Sequence, residues 1–424
     1  MADAALVLFD DIVARRWEPF ALTRPAGELR YGIETLRERA ERVLGLPCIG
    51  HLTAPHLAGY DEPWGAAVLD GTALPQDREL VFWSARAVPD SRPAHEQGAA
   101  VFTLDGEVCG WRAPAGQPHP DAADLLGAAA AAPSGAPTVE VRGELLVDVW
   151  DLMLRGPDRV ARDVELHPWG RRALDAGTTA GAIAALGAGL LGDGAVVLEE
   201  GVEVEPGVVL DVREGPIWLG RGVKVHAFSR LAGPTFVGAS STVLGGSISA
   251  STIGPHCKVR GEVEASTFLG WSNKAHDGFL GHAYLGAWVN LGAMTTNSDL
   301  KNNYGPVRLW TPEGERDTGS IKVGCFLGDH AKTGIGTLLN TGTVVGAGSN
   351  LYGAAMPPKH VPPFSWGSGG DLVGYDLERF LDTAARVMAR RDVKLTPGQR
   401  ELLGEAWRRG RREAAPTAGG GKQV

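Results

Sequence analysis

Between His276 and Arg308 the chain crowds side chains that can move protons or hold anions into a stretch surrounded by Ser, Gly and aliphatics. His276, His282, Asn290, Asn297, Asp299, Lys301, Asn302, Asn303 and Arg308 fall within 33 positions. All but Asn290 fall in two segments, GWSNKAHDGFLGHAYL from Gly270 and MTTNSDLKNNYGPVRLW from Met294. An imidazole titrates near neutral pH and can accept a proton there. Carboxamides donate and accept, and Lys and Arg supply positive charge for an anionic ligand. That set exceeds what a plain scaffold requires, and loops that depart from a regular repeat commonly carry function.

The two segments interrupt a six-residue rhythm that runs from about residue 195 to residue 355. Val196, Val202 and Val208 keep the step, then Leu219, Val225, Leu231, Val237 and Val243, and later Leu327, Thr333, Leu339, Val345 and Leu351. Six residues are roughly 1.7 helical turns, so an α-helix would scatter these side chains over opposite faces. A coil of three short strands points each of them inward, which is the signature of a hexapeptide β-helix.

Upstream, Ala5–Phe9, Ala66–Leu69 and Glu79–Trp83 read as strands, and Gly32–Val43 has helical spacing. This alternation predicts an α/β domain over residues 1–165, followed by a connector over 166–192 and the β-helix over 193–360. Leu377, Phe380, Leu381, Ala384 and Val387 share one helical face, so 371–410 is expected to be helical. Residues 411–424, rich in Gly and charge, are expected to be disordered.

With 424 residues and a formal charge of -9, the chain lacks the clustered basic excess that a nucleic-acid partner demands. The four Cys form no CxxC pair and no zinc-type spacing. MADAALVLFDD, with an acid at position 3 and a short apolar run, does not read as a signal peptide, and Ala176–Gly192 is too weakly apolar to span a membrane, so the cytoplasm is the expected compartment.

The motifs LVLFDD and TRPAGELRYGIETLRER, then SNKAHDGFLG, LKNNYG, GDHAKTGIGTLLNTGTVVGAG and PPFSWG, cover nearly the whole chain with a resemblance. It resembles a divergent bacterial branch of the bifunctional glucosamine-1-phosphate N-acetyltransferase / N-acetylglucosamine-1-phosphate uridylyltransferase family. The resemblance implies a Rossmann-like α/β nucleotidyltransferase-like domain, then a left-handed parallel β-helix with acyltransferase activity, assembled as a homotrimer. It implies that His276 is the general base that deprotonates a sugar amine as it attacks the thioester of acetyl-CoA. Asn290 and Asn297 match positions around the amino sugar, and Arg230 matches an arginine for the sugar phosphate. The family's lysines are missing from VEASTFLG, which leaves Lys301 or Arg308 to supply the phosphate charge. Phe279 stands where the family commonly has Tyr. Gly328, Gly334 and Gly346 are the expected wall of the acetyl-CoA groove, between two subunits.

In the first domain Asp10 and Asp11 replace the family's Gly-rich, basic loop. Arg24, Gly27 and Arg30 are then the candidates for holding UTP, and Asp70 and Asp148 for holding Mg²⁺. Three other readings stay open. The chain could be a nucleotidyltransferase whose β-helix only assembles or regulates it, an acyltransferase with a degenerate first domain, or a binding scaffold. A ping-pong route through Cys257 or Cys325 lacks a neighbouring His motif.

Overall fold

The computed structural model describes residues 4–94, 98–120, 122–127, 135–176, 180–353 and 355–414. The first domain is built on a six-stranded sheet of β1 (Ala5–Phe9), β2 (Cys48–Leu52), β3 (Leu80–Ser84), β4 (Ala100–Leu104), β5 (Glu107–Ala113) and β6 (Thr138–Glu140). Their order is β2-β1-β3-β5-β4-β6, and β5 alone runs against its neighbours. Helix α1 (Leu36–Leu44) links β1 to β2. It starts later than the helical spacing suggests, because Thr35 and Glu38 form a reciprocal capping box there, and Gly45 ends it in a left-handed conformation. Ala66–Leu69 is not a strand; only Val68 bridges His51.

From Gly189 onward the chain winds into a parallel β-helix with three walls. The first wall has nine rungs, from Val196–Leu198 to His360–Val361. The inward hexad residues Leu219, Leu231, Val237, Val243, Leu327 and Val345 are fully buried in one continuous core, as their spacing predicts. Walls two and three alternate in the usual way, with one face solvated. The first wall is apolar on both faces. Over the first eight rungs its outward row reads Val197, Trp218, Phe236, Thr252, Thr267, Tyr284, Phe326 and Val344, all buried, and His360 on the ninth is half-buried.

What buries that row is the first domain. Helix α2 (Gly156–Leu166) sets Val160 and Val164 on Val197, Trp218 and Phe236. Phe20, Tyr31, Trp150 and Met153 pack with Tyr284, Phe326 and Val344. A hairpin inserted in the β-helix, Arg308–Thr311 with Gly314–Asp317, grips the same domain from the side. Its Arg316 pairs with Asp148 at 2.5 Å and lies over the Trp150 ring.

Polar groups fix the register of this seam. The Tyr284 hydroxyl accepts from the Arg30 N–H and donates to the Arg30 carbonyl, both at 2.9 Å. Asp329, in the turn after the seventh rung, accepts from Thr23 and Arg24 at 2.8 Å and from the Ala287 N–H at 2.7 Å. Arg24 also meets Glu62 at 3.1 Å, and all three side chains of this ion triad are below 10% exposed.

At the corner between walls one and two, His256, Trp271, Trp288 and His330 form a column, one per coil, each with a positive φ near 60°. Non-Gly residues visit this region rarely, and a column of them marks a tightly specified turn. His256 stacks on Trp271 at 3.9 Å, Trp271 on Trp288 at 4.9 Å, and Trp64 of the first domain on Trp271 at 4.9 Å. Helices α3 (Leu377–Ala389) and α4 (Pro397–Ala414) close the end. Phe380, Leu381 and Ala384 of α3 and Leu402, Leu403 and Ala406 of α4 pack with Leu57 and Tyr60 of the first domain and Phe364 of the last coil. Residues 411–414 belong to α4; the rest of the stretch expected to be disordered lies outside the described residues.

Candidate functional site

His276 stands at the open corner between walls two and three, between Asn273–Lys274 and Phe279–Gly281. Its side chain is exposed and makes no hydrogen bond to another described residue. The backbone beneath it is pinned. Lys274 is buried and its ammonium donates to the carbonyls of Arg260 at 2.7 Å and His276 at 3.1 Å. Burial pushes that ammonium down to about 8, with Asp277 and Glu262 acting against the shift. A Cβ on Gly278 would fall 2.2 Å from the Thr295 carbonyl oxygen, so the corner closes only with glycine there. On the next coils of the same corner stand Met294, Ile335 and Tyr352, exposed by 56%, 79% and 45%. An open apolar strip therefore runs away from the imidazole.

His282, on the far side of wall three, is held differently. Its Nδ1 lies 2.8 Å from Asp299, whose carboxyl this hydrogen bond lowers below the usual range. A carboxylate-oriented imidazole is a standard catalytic arrangement, and sequence spacing does not reveal it, because Asp299 arrives from the next coil.

The other candidates scatter. The Asn297 carboxamide exchanges hydrogen bonds with the Gly281 N–H at 2.8 Å and carbonyl at 2.9 Å, so it is committed to joining two coils. Asn290 lies outward on wall two and accepts from Asn273 at 2.9 Å. Arg230 sits on wall three, three rungs before Phe279, and is ion-paired with Asp211. Lys301 lines a hollow of about 490 Å³ with Asn302, Asn303, Asn340 and Lys359, and it donates to the Pro306 carbonyl. Arg308 donates within its hairpin to the Glu315 carbonyl at 3.0 Å.

Gly328 and Gly346 do not border an open groove. A Cβ at Gly328 would meet the Pro19 carbonyl of the first domain at 2.9 Å, and one at Gly346 would meet Pro363 of the next coil at 2.4 Å. Gly334 alone of the three reaches the open corner, beside Tyr352. Trp271 and Trp288 stack on each other, and Trp310 stacks on His360 at 3.6 Å.

In the first domain, Arg24 and Arg30, the residues expected to hold a nucleotide, are both engaged in the seam. Arg30 gives its guanidinium to the carbonyls of Ile33 at 2.6 Å and Leu269 at 3.3 Å. Gly27 leaves room for His51, whose ring carbon a Cβ would approach to 2.7 Å. That ring bonds Glu28 at 2.8 Å, and Glu28 also takes Arg37 at 2.7 Å and the Ala66 N–H at 2.8 Å. Burial opposes ionisation of Glu28, but the His51 hydrogen bond and the charges of His51 and Arg37 outweigh it and hold the carboxyl at about 2.

A cleft of about 880 Å³ opens beside β2, walled by Thr53, Leu69, Asp70, Thr72, Gln76 and His119 among others, with no Lys or Arg among the described residues of its lining. Asp70 there accepts from the N–H and hydroxyl of Thr72. Asp148 is spent on Arg316 across the seam, so the two acids proposed for Mg²⁺ do not share a site. Among the described residues no group of three or more His, Cys, Asp or Glu is placed to hold a metal ion. Cys257 and Cys325 are fully buried, and burial pushes the Cys257 thiol up to about 12 and Cys325 higher still, which unfits both as nucleophiles. No helix among the described residues is long and apolar enough to cross a membrane.

Residues 6–172 match the family model described as sugar nucleotidyl transferase. The chain is 22% identical over 202 residues to the uncharacterized acetyltransferase YaiX of Escherichia coli K12, covering 42% of this chain and 79% of that protein. It is 31% identical over 172 residues to the bifunctional protein GlmU of Xylella fastidiosa, covering 37% and 33% respectively. It is 28% identical over 100 residues to the bifunctional sugar-1-phosphate nucleotidylyltransferase/acetyltransferase of Sulfurisphaera tokodaii, covering 24% and 25%. The matches span no more than a third of these two bifunctional relatives.

Proposed function

We propose that this chain, a transferase joining a sugar nucleotidyl transferase-type domain to an acyltransferase-type β-helix, N-acetylates an amino-sugar 1-phosphate from acetyl-CoA. Glucosamine 1-phosphate is the acceptor that the resemblance favours. The observation that carries the reading is the exposed His276 on a corner pinned by Lys274 and flanked by the open strip Met294, Ile335 and Tyr352.

In this reading the amine nitrogen attacks the thioester carbonyl while His276 takes its proton, and backbone N–H groups of the coil meet the oxyanion. Collapse then expels the thiolate of CoA, which takes a proton in turn. The first wall is already covered by the chain's own first domain, so a second copy has only the remaining walls to use. We propose a homotrimer in which a neighbour covers the apolar strip and completes the acetyl-CoA groove.

Nucleotidyl transfer by the first domain is the second reading, and the family-model match over residues 6–172 supports it. The cleft beside β2 speaks against a triphosphate, because no Lys or Arg is among the described residues that line it. We therefore favour acyl transfer as the principal activity.

The test is release of free thiol from acetyl-CoA with glucosamine 1-phosphate as acceptor. His276→Ala should lower the rate by roughly 10² or more, as loss of a general base does, while His282→Ala keeps most of it. The reverse ranking would move the base to the His282–Asp299 pair. No release by the unmodified trimer would remove this acceptor.

A further inference from the structure

A second cavity, of about 330 Å³, lies between wall two and the end of α3. Its polar lining is Lys258, Asn273, Asn290 and Lys332 from the β-helix with Arg390 and Arg391 from the end of α3, over a floor of Trp271 and Trp288. The four β-helix residues are in register, one per rung, so they form a single outward column. At the spacing of paired strands, about 4.8 Å, that column is roughly 14 Å long.

The chain is acidic overall, with 50 Asp and Glu against 41 Lys and Arg. Yet no carboxylate lines this cavity, and none of its four cations has an ion pair among the described residues. Lys332 donates to the His330 carbonyl at 2.9 Å and Arg391 to the His256 carbonyl at 2.9 Å, so these two point from fixed positions. Burial pushes the Lys332 ammonium down to about 8 with no neighbouring acid to counter it. Four like charges held together are mutually repulsive, and a phosphate dianion is the ligand that turns such a fork of Arg and Lys into charge-assisted hydrogen bonds. Asn273 and Asn290 add amide groups suited to hydroxyls.

We propose that this cavity binds the phosphate or diphosphate group of a phosphorylated small molecule. The site exists only because α3 folds back over wall two, and it does not depend on acetyl transfer at His276. Its cations come from the column and the helix end, not from Arg230, Lys301 or Arg308.

Calorimetric titration of the full chain with inorganic pyrophosphate, at neutral pH, low salt and without acetyl-CoA, tests it. One saturable site per chain is expected, weakened at least tenfold by Lys332→Gln and by Arg390→Gln. Lys224→Gln, on the same wall but paired with Glu203 and outside the cavity, should leave affinity unchanged. Absence of saturable binding overturns the proposal, as does equal loss in all three variants. Should Lys332→Gln unfold the chain, Arg390→Gln at an exposed position carries the test alone. Acetyl transfer is read separately, so failure of either reading is recognised on its own.

Discussion

Removing the Asp329 carboxylate should open the seam between the two domains. Its partners Thr23, Arg24 and the Ala287 N–H all sit within 2.8 Å, and Arg24 and Asp329 are 2% and 3% exposed. In Asp329→Ala the guanidinium keeps Glu62 and a long 3.5 Å contact to the Tyr60 hydroxyl, the Ala287 N–H loses its side-chain acceptor, and the Thr23 hydroxyl is left with the Phe20 carbonyl at 3.4 Å. Breaking one side of a buried ion pair costs about 3–5 kcal/mol. Arg24→Met should cost less, because a stranded carboxylate can take up a proton, and burial already raises Glu62 toward doing so. A guanidinium has no such escape. The local readout is exchange of the Arg30 amide hydrogen, whose acceptor is the Tyr284 hydroxyl across the seam. If the seam opens as a unit, Asp329→Ala should speed that exchange roughly 10²- to 10⁴-fold, the stated cost converted at about 1.4 kcal/mol per tenfold. The double variant should lose less than the sum of the singles. Exchange rates within threefold of the unmodified protein in both single variants would refute the claim that this triad holds the domains together.

Two further outcomes follow from the geometry. Glu28 is held at about 2 against an ordinary 4.5, so it contributes stability above its unfolded value that is lost as pH falls from about 4.5 to about 2. That loss is roughly 3 kcal/mol at most, so the urea midpoint gap between the unmodified protein and Glu28→Gln should close over that range; a gap that stays constant would show that Glu28 is not the group responsible. Ile335→Asp, which places a charge in the open strip, should convert a sedimenting trimer into single chains, and an unmodified protein that already sediments as single chains at micromolar concentration would remove the proposed intersubunit groove.

The inward face of the β-helix was legible because each hexad position answers to one local demand, a small apolar side chain every six residues. Leu219 and Val243 need no knowledge of distant partners. The seam was not legible, for the opposite reason. Arg24 and Arg30 look like anion ligands in a polar loop, and only distant groups, Asp329 for Arg24 and the Leu269 carbonyl for Arg30, show that both guanidinium groups are already engaged. A signal for it did exist. The first-wall segments IWL, TFV, YLG and CFL are apolar at consecutive positions, whereas EV, KV, NK and KT of wall two alternate. Consecutive apolar residues in so short a strand mean two covered faces. The recurrence of His256, Trp271 and Trp288 one coil apart was a second sign, since an aromatic repeated at a corner must be stacked on its neighbours or covered.

The aromatic column at that corner also restricts how this chain can change length. Trp64 and the Asp329 triad fasten the first domain to particular coils, those from Trp271 to Asp329, while the early coils around Val209 and Ser229 carry neither attachment. Duplicating or deleting a whole coil among the latter would change which of Val197, Trp218 and Phe236 lie under α2, but would leave the two anchors, the His276 corner and the closing helices in unchanged relation. The same edit between Trp271 and Asp329 would pull two anchors of one rigid body one rung apart. A change of length therefore disturbs one apolar contact under α2 when it falls among the early coils, and two rigid anchors when it falls between Trp271 and Asp329.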